Sequence, residues 1–169
     1  MDYGEFLRGL EPSLLGLVSS TFAIDHKTYW DQSKSIRRVL SSKYTLADIS
    51  DDYFDVEASF VLAVQWANAD GPVVQPLRIE CVFWGHFHTS GAVNKEHAKT
   101  FAETESWLIF WPFFRQFVSD TTSRMAIPPI MIPMALGPGE HSRNRPATVA
   151  TKSRSPKARK RVSRKHGKA

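Results

Sequence analysis

Tyr53 to Ala67 reads YFDVEASFVLAVQWA, and its alternation decides the fold. Phe54, Val56, Ala58, Phe60, Leu62, Val64 and Trp66 are apolar on one parity, while Asp55, Glu57, Ser59 and Gln65 interrupt the other. Successive side chains of a strand point to opposite faces, so this period predicts a long strand with one buried face and one wetter face. Asn68 to Pro72, NADGP, follows as a turn signal. The next run, LRIECVFWGHFH from Leu77 to His88, repeats the alternation. Leu77, Ile79, Cys81, Phe83, Gly85 and Phe87 point inward, and Arg78, Glu80, His86 and His88 outward. Two such runs around a turn predict an antiparallel hairpin. Upstream, Leu14 to Asp25 and Val39 to Asp48 carry weaker strand patterns, joined by the polar connection HKTYWDQSKSIRR.

After Ser90-Gly91 the period changes. NKEHAKTFAETESWLIF is helical in composition, with Asn94 placed to cap its start. Phe110, Phe113, Phe114, Phe117 and Thr121 then fall on one helical stripe. Pro112 inside that stripe either kinks one long helix or opens a second as its first residue. The helix must end before Pro128-Pro129, and IPPIMIP should be extended and polyproline-like. Strands followed by helix predict an α+β domain over residues 1–136, an antiparallel four-stranded sheet with helices on one face.

Charge divides the chain at the end of this pattern. Gly137 to Ala169 holds eleven Lys/Arg and one acid, Glu140, which leaves eleven bases against sixteen acids in residues 1–136. The net +5 therefore describes an acidic body with a basic tail. The tail is rich in Gly, Pro and Ser and nearly devoid of apolar residues, so residues 137–169 are expected to be disordered. A single cysteine, Cys81, excludes an intramolecular disulfide and fits a reducing compartment. Leu14 to Val18 is too short for a signal-peptide core or a membrane span, which points to a cytoplasmic protein that is not membrane-integral.

Leu108 to Pro133, LIFWPFFRQFVSDTTSRMAIPPIMIP, resembles the signature of the SecB family of protein-export chaperones. The matching elements are Trp111-Pro112-Phe113, Arg115, Ser123-Arg124 and the run Pro128 to Pro133, preceded by Gly85, His86 and Phe87 in the last strand. The RMAIPPI ending is similar also to the SecB-like chaperones that serve toxin–antitoxin pairs. The resemblance implies a dimer of dimers whose apolar grooves hold unfolded polypeptide clients without ATP or cofactor. It also implies an acidic docking patch for the SecA ATPase, which would fall on Glu80 with Asp55 and Glu57. Two departures stand out: the tail is basic where the family's is acidic, and Arg78 stands where the family has an apolar residue.

On this reading Trp84, Trp107, Phe110, Trp111, Phe113, Phe114 and Phe117 form the polypeptide-binding or oligomer groove, with Trp111 and Trp84 facing outward. The plain alternative makes most of the stripe core. His86, His88 and His97 read as ordinary surface histidines, since no third ligand stands at metal-binding spacing. Asp48, Asp51, Asp52, Asp55 and Glu57 read as a solvated turn that blunts a sheet edge, or as a site for a basic partner. No nucleophile–base pair, phosphate loop or metal motif is readable, so no catalytic residue, metal or cofactor is expected and the chain is not read as an enzyme. The competing class is a nucleic-acid-associated protein, with KARKRVSRKHGK binding polyanions.

Overall fold

A computed structural model describes residues 2–30, 36–66 and 73–134. The NADGP turn and the whole basic tail lie outside the described residues. Four strands, β1 (Leu10–Ile24), β2 (Ile36–Ile49), β3 (Tyr53–Trp66) and β4 (Val74–Thr89), form one antiparallel sheet in the order β1-β4-β3-β2. The expected β3–β4 pairing is present, with Phe60 opposite Cys81, Ala58 opposite Phe83 and Phe54 opposite Phe87. β1 and β2 are both longer than their sequence patterns, and they occupy opposite edges.

Among the described residues four helices accompany the sheet: α1 (Tyr3–Arg8), α2 (His26–Tyr29), α3 (Lys95–Thr104) and α4 (Trp107–Arg124). Asn94 caps α3 as expected, its side chain accepting from the amides of Glu96 and His97. The break between α3 and α4 falls at Glu105–Ser106, not at Pro112. There the buried Ser106 hydroxyl donates to the carbonyl of Ala102 at 2.7 Å. Pro112 lies inside α4 on its exposed side, where the helical partner it removes belongs to Leu108, itself exposed. α1 was not anticipated, although Asp2 and Glu5 make a capping box and Phe6 is buried against Phe54. α2 was also missed, inside the connection read as polar coil.

The core lies between one sheet face and the helices. Phe54, Val56, Ala58, Phe60, Leu62, Val64 and Trp66 of β3 are buried, as are Leu77, Ile79, Cys81, Phe83 and Phe87 of β4. Phe114 stacks on Phe60 with centroids 4.4 Å apart, Phe110 meets Phe87, and Phe117 stands edge-on to Phe83. Each fully buried aromatic or aliphatic side chain stabilises the fold by about 1.5–3 kcal/mol. Gly85 makes room for Phe110 of α4: a Cβ there would stand 2.8 Å from Phe110 Cζ and 2.9 Å from Leu15 Cδ2 and Phe87 Cε2. Burial pushes the Cys81 thiol up to about 12 and the Tyr44 phenol up to about 12, the latter only partly offset by the Ser42 hydroxyl.

Candidate functional site

The Pro-rich segment after α4 folds back along the helix, because α4 supplies the hydrogen bonds that prolines cannot make among themselves. Met125 ends α4, and Ala126 takes a left-handed conformation with φ 56°. The amide of Ala126 then donates to the carbonyl of Ser123, and that of Ile127 to Thr122. This pair of bonds is a Schellman motif with alanine where glycine is usual. Beyond it Thr122 Oγ1 accepts from the Ile130 amide at 3.1 Å. Arg115 Nε donates to the Ile132 carbonyl at 2.9 Å, and Trp111 Nε1 to the Pro133 carbonyl at 3.0 Å. Thr122, Arg115 and Trp111 thus clasp successive residues of an extended chain, while Ile127, Ile130 and Ile132 turn into the core. A shallow cleft remains between the two, lined by Pro112, Arg115, Ser119, Ile130 and Met131.

This clasp corrects the expected role of the aromatic stripe. Trp111 does not face outward: it is 1% exposed, packed near Phe60 and Phe114. Phe110 and Phe114 are likewise fully buried, so these three are core within one chain. Phe113, expected on the inward stripe, is exposed, as is Leu108, and Trp107 and Phe117 are half-buried. The buried face of α4 runs through Phe110, Trp111, Phe114, Val118 and Thr122.

The helices pack on β2, β3 and β4 and leave most of β1 exposed, although Leu10, Leu15 and Ile24 pack against the core. Leu17 pairs with Phe83 and Phe22 with Ile79, which sets both on the helix side of the sheet. They are nonetheless 47% and 56% exposed. With Phe117 standing on Phe83, they form an apolar trough along an edge strand whose outer side has no neighbour among the described residues. Leu14 and Val18 are also exposed. Sequence reading did not single out these residues.

The outer face of the sheet carries the charges. Asp55, Glu57 and Glu80 all lie on it, but not as one patch: Glu57 pairs with Trp84, whereas Glu80 pairs with Val61 further along. Arg78 forms an ion pair with Glu80. His86 Nδ1 lies 2.5 Å from Asp55 Oδ1, with its ring against Tyr53, Trp84 and His88. His86 is therefore a half-buried, bonded residue and not an ordinary surface histidine. His97 also departs from expectation: it packs on Tyr3 and Phe6, and its buried Nδ1 has no hydrogen-bond partner among the described residues. Among the described residues no group of three or more His, Cys, Asp or Glu side chains is arranged to hold a metal ion, and no helix is long and apolar enough to cross a membrane.

The four-stranded antiparallel sheet with helices on one face is a SecB-like fold. The SecB-like chaperone Rv1957 of Mycobacterium tuberculosis, solved with a ChAD peptide from the Rv1956 HigA1 antitoxin, superposes with a TM-score of 0.62. The match is 17% identical and covers 77% of this chain and 92% of that one. A Streptococcus agalactiae protein of unknown function matches at a TM-score of 0.41 and 8% identity, over 73% of this chain and 96% of its own. No family model and no curated protein matches the sequence.

Proposed function

We propose that this protein is a SecB-like, ATP-independent chaperone that holds unfolded polypeptide without catalysing a reaction. The observation that carries the reading is the apolar trough on the helix side of β1, where Leu17 and Phe22 stay about half exposed on a SecB-like sheet. Clients that share no sequence need apolar area without fixed polar partners, and exposed patches of this kind mark interaction surfaces. Of the residues expected in the groove, Phe117 stands on Phe83 beside the trough, Phe113 is exposed on α4, Trp107 is half-buried against the core, and Trp84 lies on the opposite, outer face of the sheet. Phe110, Trp111 and Phe114 support the groove from the core.

Two client settings fit. The Mycobacterium tuberculosis neighbour is bound to an antitoxin peptide, which favours a chaperone of a toxin–antitoxin pair. Protein export in the cytoplasm is the other, and it would place SecA on the outer face around Asp55, Glu57 and Glu80. The exposed Leu108 and Phe113 of α4 support a homo-oligomer, tetramer favoured over dimer. The test is light scattering from an aggregating client refolded with equimolar full-length protein and no nucleotide. Scattering should be suppressed, and less so by a Leu17→Glu/Phe22→Glu variant of native fold. Client scattering unchanged by the wild-type protein would refute the holdase reading. A monomer mass in solution at micromolar concentration would refute the assembly.

A further inference from the structure

The outer sheet face is polarised. Asp48 pairs with Asp55, Thr45 and Trp84 flank Glu57, and Glu11 pairs with His88, which gathers these carboxylates at the β2–β3 turn. Arg37 and Arg78 share the same face toward its other end, and Lys43 lies between, one outward position from the Thr45–Glu57 pair. Like charges directly opposite one another in a ladder are destabilising, and Asp48 and Asp55 are so placed. His86 bonds Asp55, yet Glu57, Glu11 and Asp48 have no ion-pair partner among the described residues. Beside them the rings of Tyr53, Trp84, His86 and His88 form a continuous aromatic surface. Carboxylates next to an indole suit arginine and lysine, which combine charge attraction with cation–π contact.

The chain itself carries the complement. Residues 152–168 hold nine Lys/Arg and no acid. Met134 is anchored at α4 by Arg115 Nη1, which donates to its Sδ at 2.9 Å. The connecting residues 135–151 can span up to about 56 Å when extended. Four strands at about 4.8 Å spacing make a sheet only about 15 Å wide, so the segment reaches either face around an edge.

We propose that the outer face at the β2–β3 end is the docking site of the chain's own basic segment, residues 152–168. Its Arg and Lys side chains lie over Asp48, Asp55 and Glu57 and against Trp84 and Tyr53. A basic external partner must then displace this segment before it can use the same carboxylates. The inference does not depend on the chaperone reading.

The experiment uses the full-length chain with Ser163→Cys carrying a nitroxide. Cys81 is buried and its thiol is pushed up to about 12, so the label goes to the new cysteine. The Trp84 indole resonance should lose at least about half its intensity at 0.1 M salt, where charges interact over about 10 Å, and recover at 1 M, where they interact over about 3 Å. A Glu57→Lys/Asp48→Lys variant should restore the resonance at 0.1 M; the salt arm keeps the test alive should that variant fold poorly. A Trp84 signal untouched by the label at 0.1 M overturns the proposal. Duplex DNA bound equally by the wild type and the charge-reversed variant, with Trp84 unbroadened in both, overturns it in favour of a free polyanion-binding tail.

Discussion

Replacing Thr122 with valine should free the returning segment while leaving the helix core filled. The Thr122 side chain is fully buried, and its hydroxyl donates to the carbonyl of Val118 at 2.8 Å. The same oxygen accepts from the amide of Ile130, a residue 3% exposed. Valine keeps the shape and removes the acceptor. Pro128 and Pro129 carry no amide, so no bond from the two residues before Ile130 can help hold the segment in its place. A buried donor left unsatisfied costs about 1–3 kcal/mol. That corresponds to roughly 5- to 150-fold in the local opening equilibrium. Amide hydrogen exchange reads that equilibrium residue by residue. The Ile130 amide in Thr122→Val should exchange faster by a factor in that range, beyond any change in core amides such as Phe60. Thr122→Ser, which keeps the hydroxyl, should hold the wild-type rate. Ile130 exchange within twofold of wild type in Thr122→Val would show that the clasp does not depend on this oxygen.

Two further outcomes follow from the core. Gly85→Ala should destabilise by about 1–3 kcal/mol in urea unfolding, because its methyl meets three side-chain carbons closer than 3.0 Å; Phe110→Leu should recover part of the loss in the double variant, and additive losses would contradict the overpacking account. Tyr44 has its pKa raised by burial from 10.0 to about 12, so above pH 10 the unfolded chain releases this proton first and stability falls with pH, by at most about 1.4 kcal/mol per unit. Tyr44→Phe should flatten that alkaline decline between pH 10 and 12, and an unchanged slope would assign it to other groups such as Cys81.

The sheet was legible where its two faces differ in burial. β3 and β4 alternate cleanly because one face meets helices and the other water. β1 was less legible for two physical reasons. It is an edge strand with apolar residues on both sides, and register shifts between Pro12 and Leu14 and between Leu17 and Ser19 break the alternation midway. In α4 the number of aromatics exceeded what one face can bury. Trp111 and Phe113 both fit an apolar stripe, and spacing alone could not choose between them. Trp111 is the one turned inward, and its indole there donates to the carbonyl of Pro133, twenty-two residues away, a partner with no local signal. Arg115 was visible as part of a motif, but its bond to the Ile132 carbonyl is a tertiary fact with no local signature.

The energetics of the trough connect its composition to assembly. Fully burying a Leu or Phe side chain yields about 1.5–3 kcal/mol, and Leu17 and Phe22 are already about half covered. A client laid over them and Phe117 therefore gains about 2–4.5 kcal/mol before costs, near the 4.1 kcal/mol that a millimolar complex requires. Ordering an unfolded client subtracts further. One trough on one chain is thus too weak to hold a polypeptide, whatever its sequence. Several troughs in one particle change this, because a client held at one site meets the next at high effective concentration, and avidity rises by 10² or more without new contacts. Leu108 and Phe113 are both exposed on α4, on either side of its buried face and off β1, so subunits can join through α4 while each β1 trough stays open. Weak individual sites also release a client readily once a higher-affinity partner competes for any one of them. On the proposed chaperone reading, assembly would be a condition of holding and not an accessory to it, and a monomeric variant with an intact trough should fail to suppress aggregation.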